Sequence, residues 1–256
     1  MRAHPSNVLF VTMVAAVVGS AGVAEAAPFV NRPLTLSRSD FALDLGLGMH
    51  HLRAPDITGF GINLELQVGL TSFLQLGVRS GLRISRDGRS TQADSFGRMF
   101  ETETYGVGFD TMANPEISLR WALVHTAVEL GLEGRLYLPV EDNTDVGIMV
   151  AVPLVLHVGG SARLDTGLYV PIIFADPTRT VVSLPFHLWF QATNQLYLGP
   201  MIGVRFHDPG GTSVPLGFGL GFSASYDVDL KTWLLFDDVK QNAKNFGVGG
   251  GIQVRF

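Results

Sequence analysis

From residue 39 to the end, apolar residues recur at every second position and rarely in runs. Phe41, Leu43, Leu45, Leu47 and Met49 alternate with Ala42, Asp44, Gly46, Gly48 and His50. Ile62, Leu64, Leu66, Val68 and Leu70 alternate with Asn63, Glu65, Gln67 and Gly69. A period of two places successive side chains on opposite faces of an extended strand, so the pattern predicts β-structure. It recurs at 73–85, 115–124, 126–139, 146–158, 161–170, 180–191, 194–206, 213–226, 229–237 and 245–256, twelve segments in all. Each is about ten residues, the length with which a tilted strand crosses a bilayer's hydrocarbon layer. Short turns at Thr71-Ser72, His125, Gly159-Gly160, Ala192-Thr193 and Asp227-Val228 alternate with longer links at 50–59, 86–114, 140–145, 171–179, 207–212 and 238–244. Short turns at one rim and long loops at the other are the pattern of a transmembrane barrel, and an even strand count puts both termini at the short-turn, periplasmic rim.

Composition sharpens this reading. The chain is 46% apolar with a mean hydropathy of +0.28, yet only 16% of its residues are charged. A membrane helix needs about 20 consecutive apolar residues. The longest uncharged stretch, 180–204, is broken by Pro185, Gln191, Thr193, Asn194, Gln195 and Pro200. Apolar residues spread one in two around a closed wall reconcile high hydropathy with the lack of an apolar helix. The net charge of −5 argues against nucleic acid as the main partner. The absence of cysteine excludes a disulfide framework, a thiolate metal site and a thiol nucleophile.

The two faces of the strands differ. With parity set by the apolar residues, the outward face carries no charge. The inward face carries Asp44, Glu65, Arg79, Arg83, Glu116, Arg120, Glu129, Glu133, Arg135, Arg163, Asp165, Arg205, Lys231 and Arg255. A soluble barrel or sandwich would bury the apolar face instead, and twelve strands of it would make too large an interior. Closure also removes sheet edges. The predicted fold is therefore all-β: a transmembrane antiparallel up-and-down β-barrel of twelve strands over 39–256. Pro153, Pro185 and Pro200 fall inside strands, where bulges or local breaks are expected. Tyr105, Val107 and Phe109 share the parity of Ile117, Leu119, Trp121 and Leu123. They are read as the fourth strand projecting beyond the membrane, interrupted near 112–115.

The first residues read as an address. Arg2 supplies a positive start, Val8–Gly19 an apolar stretch, and Ala24-Glu25-Ala26 a small-x-small cleavage site. The twelve residues of that stretch give about 18 Å of helix, short of a ~30 Å span. Residues 1–26 are expected to be a cleaved signal peptide, and 27–38 a periplasmic N-terminal tail.

The chain closes Phe246-Gly-Val248-Gly-Gly-Gly-Ile252-Gln-Val254-Arg-Phe256, with apolar residues alternating back from a terminal aromatic. This resembles the closing strand of Gram-negative outer-membrane β-barrel proteins. The resemblance implies that Ile252, Val254 and Phe256 form the signal read by the barrel-assembly machinery. It also implies an outer-membrane location, with membrane lipids and lipopolysaccharide as surroundings. The stretch Asn114 to Val140 is similar to hairpins of small porin- or transporter-like outer-membrane proteins, though no function follows from it.

Twelve strands lie between barrels filled by side chains and barrels that hold a channel. The inward arginines would obstruct the bore. Gly46, Gly48, Gly217, Gly219, Gly221, Gly247, Gly249 and Gly251 instead form bare strips on the first, tenth and twelfth segments, and a glycine strip suggests the close approach of something. Either the 86–114 loop or the 27–38 tail is expected to fold onto that wall; otherwise the glycines only relieve crowding. The outer loops are net acidic, as in Glu141-Asp142-Asn143-Thr144-Asp145. That serves solubility or holds divalent cations against lipid headgroups. A rim lipid hydrolase would need a serine beside His50, His51 or His207, with Ser85 or Ser90 within reach, but no nucleophile motif supports it. His125 lies in a turn, and His157 and His187 have lumen parity. No cofactor or resident metal is indicated. The sequence points to a non-enzymatic narrow pore or transporter-like channel passing small solutes by passive diffusion, with a plugged structural or surface-interaction barrel as the alternative and a lipid-modifying enzyme behind both.

Overall fold

The structure is a computed structural model that describes residues 28–53, 57–83, 112–140, 145–241 and 245–256. Its long strands are β1 (Phe41–Leu52), β2 (Ile57–Gly69), β3 (Leu74–Arg83), β4 (Met112–His125), β5 (Val128–Tyr137), β6 (Gly147–Val158), β7 (Ala162–Ile173), β8 (Arg179–Gln191) and β9 (Leu196–Asp208). A two-residue β10 (Thr212–Ser213) precedes β11 (Leu216–Ser223), β12 (Val228–Phe236) and β13 (Phe246–Arg255). All pairings are antiparallel between chain neighbours, with β11 following β9 in the wall and β10 lying on the end of β9. The pairing of β13 with β1 joins the two ends of the chain into a closed twelve-stranded barrel. Phe41 and Phe256 exchange backbone hydrogen bonds of 2.9 and 3.0 Å at that junction.

Strand length fits a membrane wall. The twelve residues of β1 extend about 40 Å at ~3.3 Å per residue. A tilt of ~40° brings this to about 30 Å along the barrel axis, enough for the apolar band. The outward positions form that band: Leu64, Leu66, Val78, Leu119, Val150, Ile202 and Leu220 are exposed. Exposed Phe41, Phe73, Phe190, Phe222 and Tyr226 ring the short-turn end, and Phe60, Phe174 and Phe206 stand nearer the other. Two aromatic girdles flanking an apolar wall are the surface of a transmembrane barrel.

Three details differ from the sequence expectation, and the interior prolines meet it as local breaks rather than bulges. Strands β1 and β2 pair as far as Leu52 and Ile57, so the long link at 50–59 shrinks to 53–56. The three interior prolines cause no register shift. Beside Pro153 the β5–β6 ladder skips from Leu130↔Leu154 to Glu133↔Ala151 in unchanged register, while β6–β7 runs through Pro153↔Gly167. The ladders beside Pro185 and Pro200 skip in the same way. The shifts lie in β4 instead. One is at Asn114-Pro115, opposite Ser80, where strand continues through the expected interruption. The other is at Leu123, which leaves Leu123 and Val124 both outward. The expected projection through Tyr105, Val107 and Phe109 lies outside the described residues.

The midpoint of β2 gives a test of the membrane-facing assignment. Leu64→Arg should lower the stability of the barrel in phosphatidylcholine bilayers by about 2–4 kcal/mol, measured by urea titration of the heat-modifiable folded band. Arginine at the neighbouring lumen position, Asn63, should cost less.

Candidate functional site: a bore crossed by its own N-terminal segment

The interior wall is a mosaic of charged, amide and aromatic side chains. Asp44, Glu65, Arg79, Glu116, Glu129, Glu133, Arg135, Arg163, Arg205 and Lys231 are buried inside the barrel. Arg120, Asp165 and Arg255 point the same way and keep partial access to solvent. The side chain of Arg83 lies outside the described residues.

These groups fall into three clusters. On β4 and β5, Arg135 binds Glu116 at 2.9 Å and Glu133 at 2.7 Å, while Arg120 holds the other oxygen of Glu133 at 2.6 Å. Arg79 stands directly across from Glu65 and Glu116 in the ladder, and Arg205 opposite Ser183 and Ser213. From the end of β4 to β8, the Glu129 carboxylate takes His157 Nε2 at 2.6 Å and His125 at 3.3 Å. Next to them Arg163 donates to Asp165 at 2.6 Å, and Trp189 Nε1 donates to the other Asp165 oxygen at 3.0 Å. On β11 to β1, Asp229 takes Ser223 Oγ at 2.6 Å and pairs with Arg255 at 2.9 Å. Gln253 there donates to Asp44 at 2.7 Å.

Residues 28–36 lie across the periplasmic end of this interior, and 37–39 are exposed. The segment expected as a periplasmic tail does not hang free of the barrel: Phe29 and Val30 are fully buried and Leu34 nearly so. The sequence shows why it enters. It is apolar and proline-flanked, and its buried cation, Arg32, joins Arg255 on one wall carboxylate, Asp229. Arg32 donates to Asp229 at 3.0 Å and to the Tyr226 carbonyl at 2.7 Å. The wall meets the strap's backbone groups in turn. The Leu34 amide donates to Glu129 at 2.9 Å, and the Leu36 amide to Gln75 at 2.9 Å. Gln75 continues through Gln67 to Glu65. Arg120 donates to the Leu34 carbonyl at 3.2 Å, Arg163 to the Arg32 carbonyl at 2.5 Å, and His157 Nδ1 sits 2.6 Å from the Val30 carbonyl. Thr35 donates to the Ser72 carbonyl, which anchors the strap at the periplasmic rim. Backbone groups away from bulk water need such partners, and the lumen charges supply them.

The glycine strips have a specific occupant. Each large inward side chain of β12 is flanked by glycine on both neighbours: Trp233 by Gly219 and Gly249, Lys231 by Gly221 and Gly251, Leu235 by Gly217 and Gly247. A Cβ at Gly249 would lie 2.3 Å from Trp233, one at Gly219 2.4 Å from Trp189, and one at Gly221 2.1 Å from Tyr197. Gly46 and Gly48 continue the strip across β1, opposite Gly251 and Gly249. What lies on the bare wall is thus the barrel's own aromatic rings. The strap forms the next layer, with Phe29 packed on Trp189 and Tyr197. Of the two segments expected there, 27–38 approaches as this second layer, and 86–111 lies outside the described residues.

Other expected groups stay apart. His50 pairs with Asp237 at 2.5 Å, His51 with Thr58 and His207 with Ser213 at 3.0 Å, so the three rim histidines have separate partners. Ser85 and Ser90 lie outside the described residues, as do residues 141–144 of the acidic loop. Asp229 and Arg32 also belong to the lumen. Together they add one acid and one base, which leaves the slightly basic balance of the bore unchanged. Sequence reasoning also passed over Trp189, Tyr197 and Trp233, although each has inward parity in its strand. Between strap and wall remains a cavity of about 230 Å³, bordered by Arg120, Arg163, Asp165, Tyr169 and His187.

A closed twelve-stranded wall, apolar outside and charged inside, defines a transmembrane β-barrel of the outer-membrane kind. Solved structures share that fold. A NanC porin superposes with a TM-score of 0.56 at 8% identity, over 83% of this chain and 98% of its own. A KdgM porin gives 0.55 at 8% identity, over 84% and 99%. At such identity the likeness is one of architecture. No protein-family model and no curated protein matches the chain.

Asp229 is the hub that joins strap to wall. Asp229→Ala leaves two guanidinium groups, Arg32 buried and Arg255 partly so, without their shared carboxylate. It should cost about 3–5 kcal/mol of barrel stability, read as a lower urea midpoint of the folded band.

Proposed function

We propose that this protein is a narrow channel for small solutes in the outer membrane of a Gram-negative bacterium, and that its N-terminal strap sets the width of the path. The observation that carries the reading is the ring of paired arginines and carboxylates facing the bore, with residues 28–36 lying among them. Opposed Arg and Glu side chains order water and give weak charge selectivity to what passes. An inert barrel would be filled more stably by apolar side chains than by buried ion pairs. Solutes then move by passive diffusion through the space beside the strap, or through a wider bore when the strap withdraws. Residues 1–26 fit a cleaved signal peptide. Ile252, Val254 and Phe256 fit the signal read by the barrel-assembly machinery, and the apolar wall fits contact with membrane lipid and lipopolysaccharide. The burial of Phe29, Val30, Arg32, Leu34 and Thr35 supports the second reading, a plugged barrel acting through its loops.

Planar-bilayer recording on refolded protein separates the two. The wild type should give small conductance steps, and a variant lacking 28–38 clearly larger ones. If neither conducts, the barrel is no channel and the plugged reading stands.

A further inference from the structure

The fully buried ring of Phe29 marks a site in the wall. It stacks on Tyr197 with centroids 4.2 Å apart and planes 13° from parallel. Trp189 meets it edge-on at 5.6 Å. Lys231 Nζ stands 4.2 Å from the ring centre, and the Arg163 guanidinium carbon 5.2 Å from it. The slot therefore provides a stacking face, an edge contact and two cations around one planar six-membered ring. Every part of it except the ring belongs to the barrel wall. The bare backbone at Gly219 and Gly221 gives Trp189 and Tyr197 room to lie against the wall beside the slot.

Phe29 matches the slot in shape and leaves part of its chemistry unused. A phenyl ring has no acceptor oxygen to offer the hydrogen-bond donors around it. The Tyr197 hydroxyl and the Trp233 Nε1 are buried donors with no hydrogen-bond partner among the described residues. Buried donors left unmade cost free energy, which a ligand with acceptor oxygens would recover. The cavity beside the strap shares Arg163 with the slot and so lies next to it.

We propose that this slot binds aromatic carboxylates. The ring takes the place of Phe29 on Tyr197, and the carboxylate ion-pairs with Lys231 and Arg163. The proposal rests on the channel reading and names the class of solute that dwells in the bore. Phe29 is then a tethered competitor, present at the high effective concentration of any intramolecular ligand. An aliphatic carboxylate lacks the stacking face, and an uncharged arene lacks the ion pair.

The test is calorimetric titration of phenylacetate into the refolded full-length barrel in detergent micelles, with butyrate as the ring-free control. Phe29→Ala removes the competitor and should tighten phenylacetate binding about tenfold over wild type. Phe29→Leu keeps an apolar anchor on the strap and should give a smaller gain in the same direction. In the Phe29→Ala background, Lys231→Met should weaken phenylacetate about tenfold while the heat-modifiable band shows an intact barrel. Butyrate should not saturate any variant. The proposal is overturned if phenylacetate fails to saturate both folded Phe29 variants, or if Lys231→Met leaves its affinity unchanged. Binding is measured without current. A barrel that binds phenylacetate but never conducts therefore refutes the channel alone, and one that conducts without binding refutes the slot alone.

Discussion

A backbone amide or carbonyl facing hydrocarbon has no water to bond with, and leaving it unmade costs several kcal/mol. Closure of the sheet is the answer to that constraint, and the rest of the molecule follows from it. The pairing of β13 with β1 leaves no edge, so the outward faces can be apolar throughout. It also explains how proline is tolerated. In an antiparallel sheet the N–H and C=O of one residue point to the same neighbour. A proline therefore loses contact on one side only. At Pro153 the β5–β6 ladder skips, while the β6–β7 ladder holds opposite Gly167.

Closure creates a second problem, an interior too wide for single side chains and too narrow for a free water column. The protein meets it in two layers. Large residues of β8, β9 and β12 lie against glycines of β11 and β13, which lets aromatic rings approach the wall closely. The strap then fills the periplasmic end, and charges that would otherwise face one another across water bind its backbone. Arg120 shows the double use: it grips Glu133 in the wall and the Leu34 carbonyl in the strap. Lumen charge and lumen plug are parts of one hydrogen-bonded network.

Most of the wall was legible in the sequence, because a period of two is imposed residue by residue. Parity alone put Glu116, Glu133 and Arg135 on one interior face, and the structure joins them. The strand count was legible too, since turn chemistry alternates with it. The contents of the bore were not. Arg32 and Asp229 lie 197 positions apart, and no periodicity links a segment before the first strand to the eleventh of the wall. The glycine strips pointed to the right wall, but parity could not tell a strap from a tryptophan as the thing that covers it. The signal available was inward parity of Trp189, Tyr197 and Trp233, large rings in a face otherwise given to charge. The register shift at Leu123 was also invisible, because an outward Leu-Val pair differs from strict alternation by a single residue.

The strap precedes every strand of the wall and is fixed largely by late ones. Its partners Glu129, His157, Arg163 and Asp229 sit on strands that are synthesised long after it, and they come together only when the wall has curled around. Its full set of contacts therefore exists only once the wall has closed, whereas Ser72 and Gln75 lie on the early hairpin. The strap thus ties the first strands of the wall to the last, and filling the bore favours closing it.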